Sequence, residues 1–220
     1  MTATPIRAEF DGPVTAAPAA GASDESLAVR LREGDQTAGE ELVRRHAPAL
    51  LRYLQRLTGN DHAAEELHQQ AWCSVLEHLD KFRPAVPSPG STATTAAAPV
   101  LGPVQPASGG FRAWLYRIAT NKANDQWRSR GRERSAKQGL RLVTDDVLPD
   151  ASVRLDATEQ EVKLKRAIAQ LPDNQRQVLL LRYYSGLKFV EIADMLGCPL
   201  NTALGRMHKA TVKLRQLMDG

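Results

Sequence analysis

The side chains best placed to contact another molecule lie near the end of the 220-residue chain, on a predicted helix that follows Gly197 and Pro199. Apolar residues recur along this helix at helical spacing and form one stripe, consisting of Ala203, Met207, Ala210, Leu214 and Leu217. The opposite face presents Asn201, Leu204, Gly205 and His208. A helix with such an outer face, placed after a short helix and a tight turn, is typical of a helix-turn-helix that enters a DNA major groove.

The charge of this end region favours a nucleic-acid partner. From residue 162 to residue 220 the chain carries ten Lys or Arg against four Asp or Glu. Several of these cations follow the outer face of the predicted helix, namely Arg206, Lys209, Lys213 and Arg215. Lys and Arg side chains bind phosphates and supply most of the sequence-independent affinity for DNA. A solvated charged helix face would have the same composition, so the pattern leaves that alternative open.

An enzyme is not indicated. The five histidines and two cysteines show no paired metal-ligand spacing, and no predicted strand precedes a glycine-rich phosphate loop. Neither a nucleophile with a neighbouring base nor a cofactor motif can be recognised. His68, Cys73 and His78 share one predicted helix, which leaves a metal site there as a remote alternative. We therefore expect no catalysis, no metal and no cofactor.

The elements that must position these side chains are all predicted to be helices. Two helices run from about Ser26 to Gly59. Turn residues precede and follow the second helix, at Gly34-Asp35 and at Thr58-Gly59-Asn60. A third helix is predicted from Asp61 to Phe82, with an inner stripe of Leu67, Ala71, Val75, Leu79 and Phe82. The helical pattern resumes at Phe111 and continues to about Arg130. The predicted fold is all-α, with an N-terminal helical bundle and a C-terminal helix-turn-helix joined by a flexible linker.

Composition places the boundaries of these two domains. Residues 1–23 are rich in Ala, Pro and Thr and are predicted to be a disordered tail. The first domain covers 24–130 and contains a flexible insert at 84–110, which has six prolines and no charge. A linker at 131–158 leads to the second domain at 159–220. Two isolated cysteines and the lack of a leader or a long apolar span indicate a protein of the reducing cytoplasm without membrane insertion.

Four segments of the chain, taken together, carry a family resemblance. They are the run from Leu31 to Gly59, the run Ala64-Glu65-Glu66-Leu67-His68-Gln69-Gln70-Ala71-Trp72, the run from Phe111 to Asn121 with Asp125 and Arg128, and the end domain from Leu171-Pro172 to Leu214. In order and spacing these segments resemble the extracytoplasmic-function sigma factors of bacterial RNA polymerase, which belong to the sigma-70 family. The family usually has Asp at Glu66 and Phe at Trp72, so this chain departs mildly at both positions.

The resemblance implies that the third helix docks on a coiled coil of the polymerase's large clamp-bearing subunit. The residues assigned to this polymerase-binding face are Glu66, Gln69, Gln70 and Trp72. A polar face bordered by an aromatic anchor suits such a contact. A solvated helix face is the alternative.

The resemblance also implies that the helix beginning at Phe111 recognises the minus-ten promoter element as a melted single strand. Basic and flat or aromatic side chains on this helix suit that task, and the assigned residues are Arg112, Tyr116, Arg117, Asn121, Lys122, Asp125, Trp127 and Arg128. Trp114, Leu115 and Ile118 are expected in the core instead. Asn121 and Asp125 could alternatively form a buried polar pair that orients Arg128.

In the end domain the resemblance implies that the outer helix face meets the minus-thirty-five element. The residues assigned to it are Asn201, Thr202, Leu204, Gly205, Arg206, His208 and Lys209. Many relatives have basic or hydroxyl residues where Leu204 and Gly205 stand. Because neither residue has a side-chain donor, base readout here is expected to rest on apolar and shape terms as well as on His208.

The resulting hypothesis is an initiation factor whose partners are core RNA polymerase and promoter DNA, both duplex and melted. The sequence leaves open whether an anti-sigma protein also binds it. Two other classes remain as alternatives: a helix-turn-helix regulator that never contacts polymerase, and an interaction protein whose front helices only dock. The mixed aromatic and basic helix after Phe111 discriminates against the regulator, which would not need it.

Overall fold

The computed structural model describes residues 21–83, 110–138 and 159–219, with the backbone alone described for 130–138. The predicted tail, most of the predicted insert and residues 139–158 of the predicted linker lie outside these ranges. Within them the chain is helical and contains no strand, which confirms the all-α prediction. The helices are α1 Asp24–Arg32, α2 Gln36–Thr58, α3 Asp61–Glu77, α4 Gly110–Gln138, α5 Glu159–Ala169, α6 Asp173–Leu180, α7 Phe189–Met195 and α8 Leu200–Asp219.

Local capping signals set the ends of the first three helices. The Asp35 carboxylate accepts hydrogen bonds from the backbone N–H groups of Thr37 and Ala38 and so caps the N-terminus of α2. Gly59 ends α2 in the left-handed region, at φ +69°, where glycine is favoured. The Asn60 side chain then caps α3 by accepting from the N–H of Ala63 at 2.8 Å. These are the turn signals on which the predicted helix pair depended.

Two predicted boundaries were wrong. α3 ends at Glu77 rather than at Phe82, because the chain leaves helical geometry at His78 and continues as a 3-10 turn, Leu79–Lys81. This turn keeps the last two members of the predicted stripe buried, so the stripe itself is confirmed. α4 extends eight residues beyond Arg130, into the predicted linker. Residues 131–138 are mostly strong helix formers, which explains the extension.

The start of α4 is held by α1. The carboxylate of Glu25 accepts a hydrogen bond from the backbone N–H of Phe111 at 3.3 Å. A carboxylate at a helix N-terminus interacts favourably with the helix dipole. Gly110 has φ +61°, in the left-handed region that favours glycine, and a Cβ at this position would force the Glu25 carboxylate to shift.

The C-terminal half folds as predicted in outline. Gly197 has φ +59° in the turn between α7 and α8, and α8 buries Ala203, Ala210 and Leu214 on the predicted stripe. The apolar spacing of Val190, Ile192, Ala193 and Leu196 predicts the short helix before Gly197, but Val190 is wrongly included in this apolar set, since it is 51% exposed. α7 begins only at Phe189, so Val190 lies in its first turn and faces outward, while Ile192 and Met195 pack inward.

The two halves pack directly against each other. Buried apolar residues form one continuous cluster that includes members of both halves. α2 contacts α5, α6 and the segment Leu181–Ser185, and α4 contacts that segment and α7. No helix within the described ranges is long and apolar enough to cross a membrane.

Candidate nucleic-acid and polymerase interfaces

The outer face of α8 is open to solvent. Its exposed members are Asn201, Thr202, Leu204, His208 and Lys209, while Gly205 and Arg206 are half-buried. Leu204 is an apolar member of this face and is 41% exposed. A Cβ added at Gly205 would meet nothing within 4 Å, so packing within the chain does not require glycine there. The predicted face therefore exists and is accessible.

The turn before α8 is held by backbone hydrogen bonds. The Cys198 N–H donates to the Ala193 carbonyl at 3.0 Å, and the carbonyl of Pro199 accepts from the N–H groups of Thr202 and Ala203 at 2.9 and 3.1 Å. At the start of α7 the Glu191 carboxylate accepts from the Lys188 N–H at 2.6 Å. The turn between α7 and α8 is therefore closed by backbone hydrogen bonds, and the N-terminus of α7 is capped by Glu191.

The predicted polymerase-binding face also exists on α3. Its exposed residues are Glu66, Gln69, Gln70 and Cys73. The Gln70 amide donates to the Glu66 carboxylate at 3.2 Å. Trp72 borders this face half-buried, and its indole N–H donates to His68 Nε2 at 3.1 Å. Burial lowers the pKa of His68, which favours the neutral ring that this hydrogen bond needs.

One residue of this face was missed by the sequence reasoning. Leu76 is 60% exposed, the largest exposed fraction among the large apolar side chains of the described ranges. It lies seven residues after Gln69 and three after Cys73, and therefore on the same side of α3. This spacing was available from the sequence and could have identified it.

Three of the residues predicted to contact the minus-ten strand contact the C-terminal half instead. The Tyr116 hydroxyl donates to the carbonyl of Tyr184 at 3.2 Å, and the Arg112 guanidinium donates to the carbonyl of Ser185 at 3.4 Å. The Arg117 guanidinium pairs with the Asp194 carboxylate at 2.5 Å. Tyr116 is buried, at 1% exposure, so no strand reaches it in this arrangement.

The remaining predicted residues of α4 face outward. Asn121, Asp125 and Arg128 are exposed, and Lys122 and Trp127 are half-buried. The alternative of a buried pair between Asn121 and Asp125 was wrong, since the Asp125 side chain is 74% exposed and lies 3.5 Å from Arg128 at the surface. The expected core residues of this helix, Trp114, Leu115 and Ile118, are buried as predicted.

Within the described ranges no group of three His, Cys, Asp or Glu side chains is arranged so that it could hold a metal ion. His68, the first member of the remote metal alternative, accepts the Trp72 hydrogen bond through Nε2.

Each half of the chain matches a model of a known protein family. The family model for sigma-70 region 2 matches residues 42–98, and that for sigma-70 region 4 matches residues 161–214. The ECF RNA polymerase sigma factor SigW of Bacillus subtilis is 29% identical over 202 residues, which cover 86% of this chain and 94% of SigW.

Two solved structures have the same fold. The sigma factor RpoE of Bartonella quintana, in complex with the anti-sigma factor NepR, superposes with a TM-score of 0.57 at 24% identity, covering 82% of this chain and 96% of that chain. CnrH in complex with the cytosolic domain of CnrY gives a TM-score of 0.59 at 24% identity, covering 89% and 97%. At this identity the likeness concerns the fold alone.

The class of protein follows from the helix-turn-helix, from the helices that match region 2 and from the similarity to SigW. The chain belongs to the sigma-70 family of RNA polymerase sigma factors, in its extracytoplasmic-function group. It is a sigma factor, which binds core RNA polymerase and recognises promoter DNA to start transcription. The match to region 2 disfavours a helix-turn-helix regulator that acts without polymerase.

Proposed function

We propose that this sigma factor acts in the cytoplasm through three separate surfaces, one on each of α3, α4 and α8. The first domain, 24–130, docks on core polymerase and holds the melted minus-ten strand, and the second, 159–220, binds the minus-thirty-five element. The observation that carries this proposal is that α3 and α8 both leave their predicted contact faces exposed in one chain. A face exposed with few contacts inside the chain is available to a partner.

The docking face on α3 combines polar side chains with apolar ones. Glu66 and Gln69 supply hydrogen-bonding groups, while Trp72 and Leu76 supply apolar area at the edge of the same surface. Interfaces commonly have an aromatic or aliphatic anchor surrounded by polar contacts. We expect the binding free energy to come mainly from Trp72 and Leu76, and the specificity from the polar pair.

On α8 we propose that Arg206 and Lys209 contact phosphates, which fix the position of the helix on DNA without reading sequence. Asn201, Thr202 and His208 have side-chain groups that can form hydrogen bonds with base edges or phosphates. Leu204 suits a thymine methyl group, and the bare backbone at Gly205 allows close approach to the groove. The recognised sequence would then depend on shape as well as on hydrogen bonds.

On α4 we propose that the exposed second half, with Asn121, Lys122, Asp125, Trp127 and Arg128, makes the first contact with the minus-ten strand. Its mixture of cationic and aromatic groups suits a negatively charged backbone with unstacked bases. Arg112, Tyr116 and Arg117 would contact the same strand only after the C-terminal half has moved away from α4.

An anti-sigma protein is a further proposed partner. One solved structure of the same fold holds the anti-sigma factor NepR and the other holds the cytosolic domain of CnrY, which supports a protein partner of this kind for this chain. The exposed residues of α3 and α8 would be the surfaces for which such a partner competes with polymerase and DNA.

A run-off transcription assay tests the proposed function. Purified core polymerase is incubated with a pool of randomised promoter templates, with and without the chain, and the transcripts are sequenced. We expect new start sites that depend on the chain and share elements about ten and thirty-five base pairs upstream. Core polymerase alone is the control. DNA binding without chain-dependent transcripts would favour the regulator class and contradict the proposal.

A further inference from the structure

His68 lies one helical turn before Trp72 on α3, and its ring is hydrogen-bonded to two different helices. The Nε2 atom accepts from the indole N–H of Trp72, and the two rings meet edge to face, with centroids 6.4 Å apart and an interplanar angle of 72°. The backbone of Ala47 on α2 forms a second hydrogen bond with the ring. The histidine therefore connects the border of the polymerase-binding face to the neighbouring helix.

These two bonds together define one form of the ring. A neutral imidazole has one nitrogen that donates and one that accepts. Because Nε2 accepts from Trp72, the N–H group is on Nδ1, and it donates to the carbonyl of Ala47. Burial has a larger effect on the pKa of His68 than the bond to Ala47, so this pKa lies below its ordinary value of 6.5. Both hydrogen bonds are therefore present at neutral pH.

The bond to His68 determines what Trp72 can offer to a partner. An indole usually has an apolar body and one polar N–H group, and this group commonly finds a hydrogen-bond partner at an interface. Here His68 already accepts from that group, so the open part of the half-buried ring is apolar. Leu76, which is 60% exposed, follows one turn later. His68, Trp72 and Leu76 are spaced by four residues and so form one row along α3.

We infer that His68 is a positioning residue for the docking of core polymerase. It holds the indole of Trp72 in one orientation, so that Trp72 and Leu76 present a preformed apolar surface to the partner. A side chain that is already held in one conformation loses less conformational entropy on binding. A phenylalanine at position 72 would have no N–H group, so the role of His68 depends on the tryptophan. This inference rests on the proposed docking role of α3.

A purely structural role of His68 would have a different consequence. The bond to Ala47 joins α3 to α2, and its loss would disturb the packing of the two helices whatever residue stands at position 72. A positioning role instead couples His68 to Trp72 alone. A double-mutant cycle measures such a coupling directly, because it compares the effect of one substitution with and without the second residue.

The test uses the full chain and purified core RNA polymerase. His68→Val is made in the parent and in Trp72→Phe, and surface plasmon resonance measures the affinity for polymerase. His68→Gln is the conservative variant, because its side-chain carbonyl can still accept from the indole. His62→Val is the matched control, since it removes an exposed histidine from the same helix. The indole N–H signal of Trp72 is followed by ¹⁵N nuclear magnetic resonance of the chain without polymerase, and its loss in Trp72→Phe identifies it.

We expect His68→Val to weaken polymerase binding several-fold in the parent and by less than about twofold in Trp72→Phe. His68→Gln and His62→Val should stay within about twofold of the parent. In the free chain, His68→Val should shift the indole signal of Trp72 and speed its exchange with water, because the N–H group loses its acceptor. Should His68→Val lose its helical circular dichroism, His68→Leu is measured with the same expectation.

Two results would overturn the inference while leaving the docking face in place. One is an equal loss of affinity from His68→Val in both backgrounds, which would indicate a structural role. The other is an indole signal of Trp72 that does not respond to His68→Val. Trp72→Ala tests the docking face itself, and we expect it to weaken binding more than His68→Val does. Unchanged binding by Trp72→Ala would show that the proposed face does not dock, and the inference would fall with it.

Discussion

His46 Nε2 lies 2.8 Å from the Oδ2 atom of Asp24, and this pair joins the first two helices inside the protein. His46 is buried at 6% exposure, and Arg45 holds the other carboxylate oxygen of Asp24 at 3.0 Å. The hydrogen bond from His46 is the main cause that lowers the pKa of Asp24 from 3.8 to about 2, with a smaller contribution from Arg45. The folded N-terminal half therefore favours the ionised form of the Asp24 carboxyl group.

Replacing Asp24 by Asn should destabilise the protein by about 2 kcal/mol at neutral pH, in proportion to the lowered pKa. The carboxylate is more acidic in the folded state, so its contribution is complete above the unfolded pKa of about 4. It should disappear as the pH falls from about 4 towards 2. Urea unfolding of both proteins across this pH range measures the difference, with the exposed Asp219→Asn as the control. A constant difference down to pH 2 would contradict the assignment.

Changing Glu66 and Gln69 together to Lys should weaken binding to core polymerase at least several-fold, because it reverses the charge of the docking face. Leu76→Ala should weaken it as well, through lost apolar contact. Glu66, Gln69 and Leu76 are all exposed, so the helical circular dichroism of these variants should not change. A pull-down with core polymerase measures binding, and Gln36→Lys with Glu40→Lys, both exposed on α2, is the control because it changes the net charge by the same amount. Equal recovery of all variants would show that another face docks.

On α8, Arg206→Ala should lower affinity for all promoters alike, whereas His208→Ala should alter the preference among minus-thirty-five variants. A phosphate contact carries no sequence information, while a base contact discriminates by about 1–3 kcal/mol. Competition binding with a randomised minus-thirty-five duplex measures both effects. Uniform scaling by both substitutions would mean that His208 does not read sequence.

Gly205→Ser provides a complementary test on the same helix. A side chain at this position meets nothing within 4 Å, so the fold should tolerate it. The new hydroxyl would lie at the groove and should change the selected minus-thirty-five sequence while leaving α8 intact. If selection returns the parent sequence at parent affinity, position 205 does not face the DNA.

Replacing Ala85 to Ala107 by a short Gly-Ser link should leave polymerase binding intact and transcription within a few-fold of the parent. Phe82 and Phe111, which lie on either side of this segment, pack with ring centroids 5.7 Å apart, so a short link can connect them. Loop-closure entropy also depends only weakly on length. Loss of promoter opening with intact polymerase binding would instead show that the segment takes part in capturing the strand.

Periodicity and turn residues predicted most of the fold, since both report local preferences. The buried stripes of α3 and α8 follow directly from apolar spacing, and the turn at Gly197 follows from its glycine. The end of α3 was misjudged because Leu79, in the 3-10 turn, and Phe82, directly after it, keep the inward direction of the stripe. Val190 was misassigned because an apolar residue in a first helical turn can face solvent.

The contacts between the halves could not be predicted in this way. Arg117 and Asp194 are 77 residues apart, and their pairing depends on the relative placement of two helices rather than on local pattern. For the same reason Tyr116 had the composition of a strand-binding residue but is buried. The candidate faces were predictable from each helix alone, whereas their accessibility depended on tertiary packing.

The contact between Glu25 and the start of α4 has a consequence for how such chains diversify. α1 holds the first turn of α4 directly, and Phe82 packs on Phe111 and Trp114, so the position of this helix is set by packing on the helices of the N-terminal half. Natural selection can therefore lengthen or shorten that junction without moving the helix that follows it. The same junction is a suitable insertion site for a reporter or a ligand-sensing peptide in protein engineering.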